Sequence, residues 1–332
     1  MSVFIIAEAG VNHNGSYDLA CKLALEAKNA GADAVKYQTF KAEALVTPDA
    51  DTAGYQKQAV GASKSQYQML KSLELTEEEF MSLRHYCDEI GIAFCTTTFD
   101  PLSTTFAFDK LDLPFVKIPS GEITNLPFLE VVGASKKPVI LSTGACSLSE
   151  VQDAVDVLKH AGSTDITVLH CTTQYPAPYE DIDLRAMEAM GKTLGLPYGY
   201  SDHTKGIEVA VAAVAMGATV IEKHFTLDKT MEGPDHKASL EPQELSELIT
   251  AIRHVECALG KSEKTIHQSE LDNRKVVRKS IVALKPIKQG EIFSEDNIGT
   301  KRPGTGISPM RWHEVLGKRA SRNFDTNELI EL

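Results

Sequence analysis

The chain has 332 residues, 42% hydrophobic and 24% charged, a composition that fits a soluble globular protein with one large domain and a small one. Its formal net charge of −12 argues against nucleic acid as a partner, although a local lysine cluster can still hold a small anion. The 6 cysteines form no C-x-x-C pair, the N-terminus lacks a signal-peptide pattern, and the uncharged apolar stretch Val209 to Ile221 is too short to span a bilayer. A cytoplasmic protein without membrane association is expected.

About eight short apolar runs follow one another, each ending near a polar or reactive residue. The first, Val3 to Ala7, ends at Glu8, and Ala34-Val35 ends at Lys36. Ile92 to Cys95 leads into Thr96-Thr97-Thr98, Phe115-Val116 into Lys117, and Val139 to Leu141 into Ser142. Ile166 to Leu169 ends at His170-Cys171, Tyr198 to Tyr200 at Ser201-Asp202-His203, and Val220-Ile221-Glu222-Lys223 at His224. Helical spacing separates these runs over Leu19 to Ala30, Thr76 to Ile90, Leu102 to Leu111, Leu126 to Ala134, Ser147 to Ala161, Leu184 to Leu194, Gly206 to Met216 and Pro242 to Leu259. Strands alternating with helices imply a parallel sheet with right-handed crossovers. An open doubly wound sheet would carry a Gly-rich fingerprint at one switch point, and no G-x-G-x-x-G follows a strand here. Reactive residues after nearly every strand favour an α/β fold of the (β/α)₈ TIM-barrel type, whose active site gathers at the strand C-termini.

A long insertion, Lys41 to Lys71, reads equally as a substrate wall or as a surface excursion. The organisation changes after Gly260. Residues 1–260 are expected to form the barrel, 261–276 a polar linker, and 277–332 a small β-rich domain with extended segments at Ser280 to Ala283, Glu291 to Phe293 and Glu328 to Ile330.

His203 and His224 end adjacent predicted strands, and neighbouring strands lie about 4.8 Å apart. Two imidazoles at that separation can share a divalent ion, or they can be a structural hydrogen-bonded pair. Lys36 and Lys117 point to one mouth, where Ser120-Gly121 and Ser142-Thr143-Gly144 add hydroxyls and backbone N–H groups suited to a phosphate or carboxylate. The plainer alternative pairs each lysine with a buried carboxylate such as Glu8 or Glu122, and a Schiff-base role for either lysine also stays open. Glu8 can accept hydrogen bonds from sugar hydroxyls, act as a base, or bridge Lys36. Asp235, in Glu232-Gly233-Pro234-Asp235-His236, offers a second rim carboxylate, and Tyr175-Pro176-Ala177-Pro178-Tyr179 makes a stiff loop wall.

The ordered set of segments resembles the bacterial sialic acid synthase family across essentially the whole chain. The resemblance rests on Ile5 to Gly15, Val35-Lys36-Tyr37-Gln38-Thr39, Lys117 to Glu122, Leu141 to Gly144, His170-Cys171-Thr172, Tyr200 to Thr204, Glu222 to Thr226 and Gly233-Pro234-Asp235. The C-terminal piece with Lys301-Arg302-Pro303-Gly304 resembles the antifreeze-like SAF domain of the same enzymes. One departure is Thr98, which stands where many relatives carry proline.

The resemblance implies condensation of phosphoenolpyruvate with an N-acetylated mannosamine-type sugar, N-acetylmannosamine first, to give N-acetylneuraminate and phosphate. A 2,4-diacetamido-2,4,6-trideoxymannose, giving legionaminate, is the alternative. It further implies that His203 and His224 hold a divalent metal ion, Mn²⁺ before Mg²⁺ or Co²⁺. Lys36, Thr97, Lys117, Ser120, Ser142 and Ser201 would bind phosphoenolpyruvate, with Tyr175 near it. Glu8 and Asp235 would bind the sugar. Arg302 would reach into the barrel of a second subunit in a domain-swapped homodimer. A Schiff-base aldolase and a non-catalytic carbohydrate-binding protein are the readings of other classes.

Overall fold

The structure is a computed structural model that describes residues 2–47 and 65–332. The chain divides into two compact units, Met1–Gly260 and Lys261–Leu332.

In the first unit eight parallel strands are ordered β3-β2-β1-β8-β7-β6-β5-β4. They are β1 (Phe4–Gly10), β2 (Ala34–Thr39), β3 (Ala93–Thr98), β4 (Val116–Ile118), β5 (Val139–Ser142), β6 (Ile166–His170), β7 (Tyr198–Asp202) and β8 (Val220–His224). The first strand pairs with both the second and the last, Glu8 lying beside Lys36 on one side and His224 on the other. β3 and β4 touch without a hydrogen-bonded ladder between them among the described residues, so the barrel is near-closed with one seam.

The outer helices form where the sequence signals them. Helix α1 (Tyr17–Ala30) is capped by Ser16 and ended by Gly31, whose φ of 93° suits a residue without a side chain. It buries Ala20, Leu23, Ala24 and Ala27, one face at helical spacing. Two short helices follow, α2 (Ala42–Leu45) and α3 (Gln66–Lys71). These are the flanks of the insertion expected over Lys41 to Lys71; its middle lies outside the described residues. Helix α4 (Glu77–Ile90) opens with a reciprocal Thr76–Glu79 capping box. Then come α5 (Pro101–Lys110), α6 (Leu126–Ala134), α7 (Leu148–Ala161), α8 (Leu184–Leu194), α9 (Glu208–Ala215) and α10 (Pro242–Leu259). No helix among the described residues is long and apolar enough to cross a membrane.

Alternation along the strands sets the interior. Ile6, Ala34, Cys95, Phe115, Ile140, Leu169 and Val220 make one buried apolar cluster. Two residues further along each strand stand Glu8, Lys36, Thr97, Lys117, Ser142, Cys171 and Glu222. Strand side chains repeat with a period of two, so this polar layer sits directly above the apolar plug. The intervening residues face the helices, and there Asp202 and Lys223 form a fully buried ion pair, Nζ to Oδ2 2.8 Å. Lys223 also donates to the Thr204 carbonyl (2.6 Å), and Asp202 accepts from the Thr204 N–H and hydroxyl.

The second unit has its own apolar core, including Ile281, Ile287, Phe293, Ile298, Phe324 and Ile330. Its two-stranded antiparallel sheet pairs β9 (Ser280–Ala283) with β10 (Ile298–Lys301). The structure differs from the sequence reading in three respects. The stretch read as linker carries helix α11 (Leu271–Val277), which buries no side chain and so gave no amphipathic signal. β10 contains Gly299 and lacks apolar alternation, and was missed. The extended segments at 291–293 and 328–330 make single bridges, Ile292 with Arg319 and Leu329 with Val282, rather than strands. A short helix, α12 (Trp312–Val315), completes the unit.

Removing one member of a buried ion pair strands the other. Asp202→Ala is expected to lower unfolding free energy by about 3–5 kcal/mol, read from urea denaturation, with Lys223 left unpaired. A loss below about 1 kcal/mol would show that the pair does not brace β7 against β8.

Candidate active site

A cavity of about 330 Å³ opens at the C-terminal ends of the strands. It is lined by every predicted site residue of the first unit: Glu8, Lys36, Thr97, Lys117, Ser120, Ser142, Tyr175, Ser201, His203, His224 and Asp235. Arg302 belongs to the second unit, where its Nε donates to the Val277 carbonyl.

The two lysines lie inside a buried charge cluster. Lys36 Nζ is 2.7 Å from Glu8 Oε2 and 3.9 Å from Glu222 Oε2, and Lys117 Nζ is 3.4 Å from Glu222 Oε1. Each lysine is thus paired with a buried carboxylate, and both line the cavity. Glu222, not Glu122, is the carboxylate shared by both ammonium groups. Glu222 lies two positions before His224 on the same inward face of β8, a place that the strand's period of two marks and that ending the run at His224 passes over.

The hydroxyls are tied to these charges. Lys36 donates to Thr97 Oγ1 (3.1 Å), Lys117 to Ser142 Oγ (2.7 Å), and Ser201 to Glu222 Oε1 (2.9 Å). Ser120 Oγ accepts from the Gly144 N–H (2.8 Å) and lies 3.3 Å from the Cys171 thiol. A side chain at Gly144 would meet Thr173 Oγ1 at 2.3 Å and Ser120 Oγ at 3.1 Å, so glycine is required for that close approach.

Electrostatics separates the two carboxylates. Burial opposes ionisation of Glu222, yet Lys117, Lys36 and the Ser201 hydroxyl outweigh it and hold the carboxyl down, at about 2. For Glu8 burial wins over Lys36, and the carboxyl is pushed up to about 7. Burial likewise raises Asp235 to about 6, with Lys36 opposing. Glu8 is thus the carboxyl poised to exchange a proton near neutrality, while Glu222 stays charged.

His203 and His224 have ring centroids 5.5 Å apart, with the Tyr175 ring 4.1 Å from the first and 5.5 Å from the second. His203 Nδ1 is 2.7 Å from the Thr172 carbonyl, which only accepts, so Nδ1 carries the proton and Nε2 is left with a lone pair. His224 Nδ1 is buried without a hydrogen-bond partner. Burial lowers the pKa of both rings and keeps them neutral, the form that ligates metal. Among the described residues no group of three or more His, Cys, Asp or Glu gathers for a metal ion. The pair would make an open site completed by oxygen ligands, which fits the donor chemistry of a divalent ion.

The NeuB family model matches residues 23–264, and the SAF domain model residues 278–331. The chain is 51% identical over 328 residues to an N,N'-diacetyllegionaminic acid synthase of Campylobacter jejuni, covering 98% of each chain. It is 47% identical to a protein of the same name from Legionella pneumophila, covering 99% of this chain and 94% of the other. A solved N-acetylneuraminic acid synthetase from Leptospira borgpetersenii, in complex with citrate, is similar with a TM-score of 0.72 and 35% identity, over 82% of this chain and 90% of that one. The chain belongs to the NeuB family, and with it to the phosphoenolpyruvate-condensing sugar synthases that its motifs resemble.

A carboxyl with a raised pKa is protonated below that value and ionised above it. If ionised Glu8 is the working form, kcat/KM rises with pH towards about 7 and is level above. Glu8→Gln is expected to remove that limb and to lower kcat by about 100-fold or more, measured as phosphate release across pH 5–9. A limb that survives the substitution assigns the titration elsewhere.

Proposed function

We infer that this chain condenses phosphoenolpyruvate with an open-chain N-acetylated amino sugar and water to give a nine-carbon 2-keto acid and phosphate. We infer further that the sugar is a 2,4-diacetamido-2,4,6-trideoxymannose, which reverses the order of preference read from sequence. The reaction reading is carried by one observation: two ammonium groups, four hydroxyls and two neutral imidazoles converge on a single cavity. The sugar reading is supported by the two legionaminic acid synthase relatives and by the rest of the cavity lining. That lining includes Val11, Phe40, Leu45, Met69, Leu70 and Phe99, an apolar surface suited to a C6 methyl and to acetamido methyls. Lys36 and Lys117 are the cationic side chains among the described lining residues, and both are assigned to phosphoenolpyruvate in this reading, which leaves no further cation there for a phosphate on the sugar.

In this reading Lys36 and Lys117, with Thr97, Ser120, Ser142 and Ser201, bind the phosphate and carboxylate of phosphoenolpyruvate. Glu222 stays ionised and holds the two ammonium groups on station. The enol C3 forms a C–C bond to the sugar aldehyde carbon, whose oxygen takes up a proton. Water adds to the electron-poor C2 and gives up one proton, and the C2–O bond to phosphate then breaks as the C2 hydroxyl passes its proton to the departing phosphate, leaving the ketone. Glu8 is the residue matched to carry a proton at neutral pH, and Asp235 orients sugar hydroxyls.

A divalent ion at His203 and His224, Mn²⁺ first, would polarise the aldehyde and offset the negative charge of the substrate. The charge count supports this: Lys36, Lys117, Glu8 and Glu222 sum to zero when all are ionised, which leaves a multiply charged anion uncompensated. A homodimer that swaps its C-terminal domain and lends Arg302 to its neighbour belongs to the same proposal, as does a cytoplasmic setting.

Phosphate release is expected to show at least 10-fold higher kcat/KM with the diacetamido-trideoxy sugar than with N-acetylmannosamine. The opposite ratio would restore the sialic acid reading. Chelation should abolish turnover and Mn²⁺ restore it, while His203→Ala should weaken Mn²⁺ binding, read by electron paramagnetic resonance of the free ion. Full rates after exhaustive chelation would defeat the metal assignment.

A further inference from the structure

Asp235 sits in the loop between β8 and α10, which has only a single 3₁₀ turn (His236–Ala238) of its own. Something else must hold its carboxylate at the cavity. The bonds that fix the loop backbone on either side of it come from the opposite end of the barrel sequence, the loop after β1. Asn12 Nδ2 donates to the Phe225 carbonyl (2.9 Å) and to Ser239 Oγ (3.0 Å), and Ser239 Oγ donates in turn to the Asp235 carbonyl (2.8 Å). Asn14 Nδ2 donates to the Glu232 carbonyl (2.9 Å). That assignment leaves Asn14 Oδ1 as an acceptor, 3.2 Å from His236 Nε2.

His236 is fully buried, and its position fixes its tautomer. Nε2–H donates to Asn14 Oδ1, so in the neutral ring Nδ1 accepts from the Thr226 hydroxyl, 2.7 Å away. The imidazole is therefore a rigid spacer between the end of β8 and the first loop, one residue beyond Asp235. Gly233 is shaped to the same contact. A Cβ there would lie 2.6 Å from His236 Cδ2 and 2.9 Å from Asn14 Oδ1, and its φ of 157° disfavours a side chain.

We propose that His236, braced by Asn14, is a positioning residue that holds Asp235 at the sugar end of the cavity. The proposal deepens the function inferred above and rests on it. Asn14 and His236 touch neither the lysines nor the hydroxyls assigned to phosphoenolpyruvate, so the latch acts on one substrate only. A misplacement of about 1 Å at a reacting group can cost on the order of 100-fold in rate, so a small rotation of this loop is enough to register.

The experiment is steady-state phosphate release with phosphoenolpyruvate and either 2,4-diacetamido-2,4,6-trideoxymannose or N-acetylmannosamine. Variants are Asn14→Ala, Gly233→Ala and His236→Phe, the first being partly exposed and the least disruptive to folding. Each is expected to raise the KM for the sugar about 10-fold while the KM for phosphoenolpyruvate stays within about twofold. The double variant Asn14→Ala with Asp235→Asn should have a sugar KM no higher than Asp235→Asn alone, because Asn14 acts through Asp235. An unmoved sugar KM in Asn14→Ala, equal rises for both substrates, or additive effects in the double variant would overturn the latch while leaving the reaction standing. A wild-type protein that releases no phosphate with either sugar would overturn the reaction, and the latch's role with it.

Discussion

Four buried charges on four strands organise this molecule. Lys36 sits between Glu8 and Glu222, Glu222 also pairs with Lys117, and none of the four is more than 4% exposed. A buried ammonium without a carboxylate is strongly penalised, and so is a buried carboxylate without an ammonium. Each therefore requires the others, and that demand fixes the register of β1, β2, β4 and β8 at their upper ends. The same demand gives the site its chemistry. The cluster is neutral when Glu8 is ionised and carries one positive charge when Glu8 is protonated, so an incoming anion finds fixed donors without meeting a net charge of its own sign.

The apolar plug beneath makes this arrangement sustainable. Ile6, Ala34, Phe115 and Val220 close the barrel from below, so the charges face one mouth. Outside the barrel wall, Asp202 and Lys223 alternate with Ser201, Glu222 and His224 along the same two strands. One face of β7 and β8 thus holds the reacting groups, and the other ties the strands and the Thr204 turn together. The division of labour follows from the two-residue repeat of a strand and needs no special device.

Much of the site was legible in sequence because it obeys that repeat. Lys36, Lys117, Ser142 and His224 each follow an apolar run, and a parallel barrel puts them at one rim. Glu222 escaped notice since it lies one pleat below the residue that attracts attention, inside a run read as strand body. The roles of Asn14 and His236 were not legible either. They pair across 222 residues of chain, and no local pattern encodes a contact of that span. In the second unit the failures have a different origin. β10 exists through its pairing with β9 rather than through its own apolar pattern, and α11 buries nothing, so neither announced itself.

The pairing of the first strand with the last bears on how the polypeptide acquires its activity as it is made. Ribosomes deliver Glu8, Lys36 and Lys117 before the last strand, but the carboxylate that balances the second ammonium arrives with residue 222, and the anchor for Asp235 later still. Domains generally fold as units during synthesis, amino-terminal parts first. Here the fourth strand waits with the unmatched ammonium of Lys117 until the eighth strand emerges. Truncated translation products ending before that point cannot assemble the catalytic rim, whatever fraction of the barrel wall they contain.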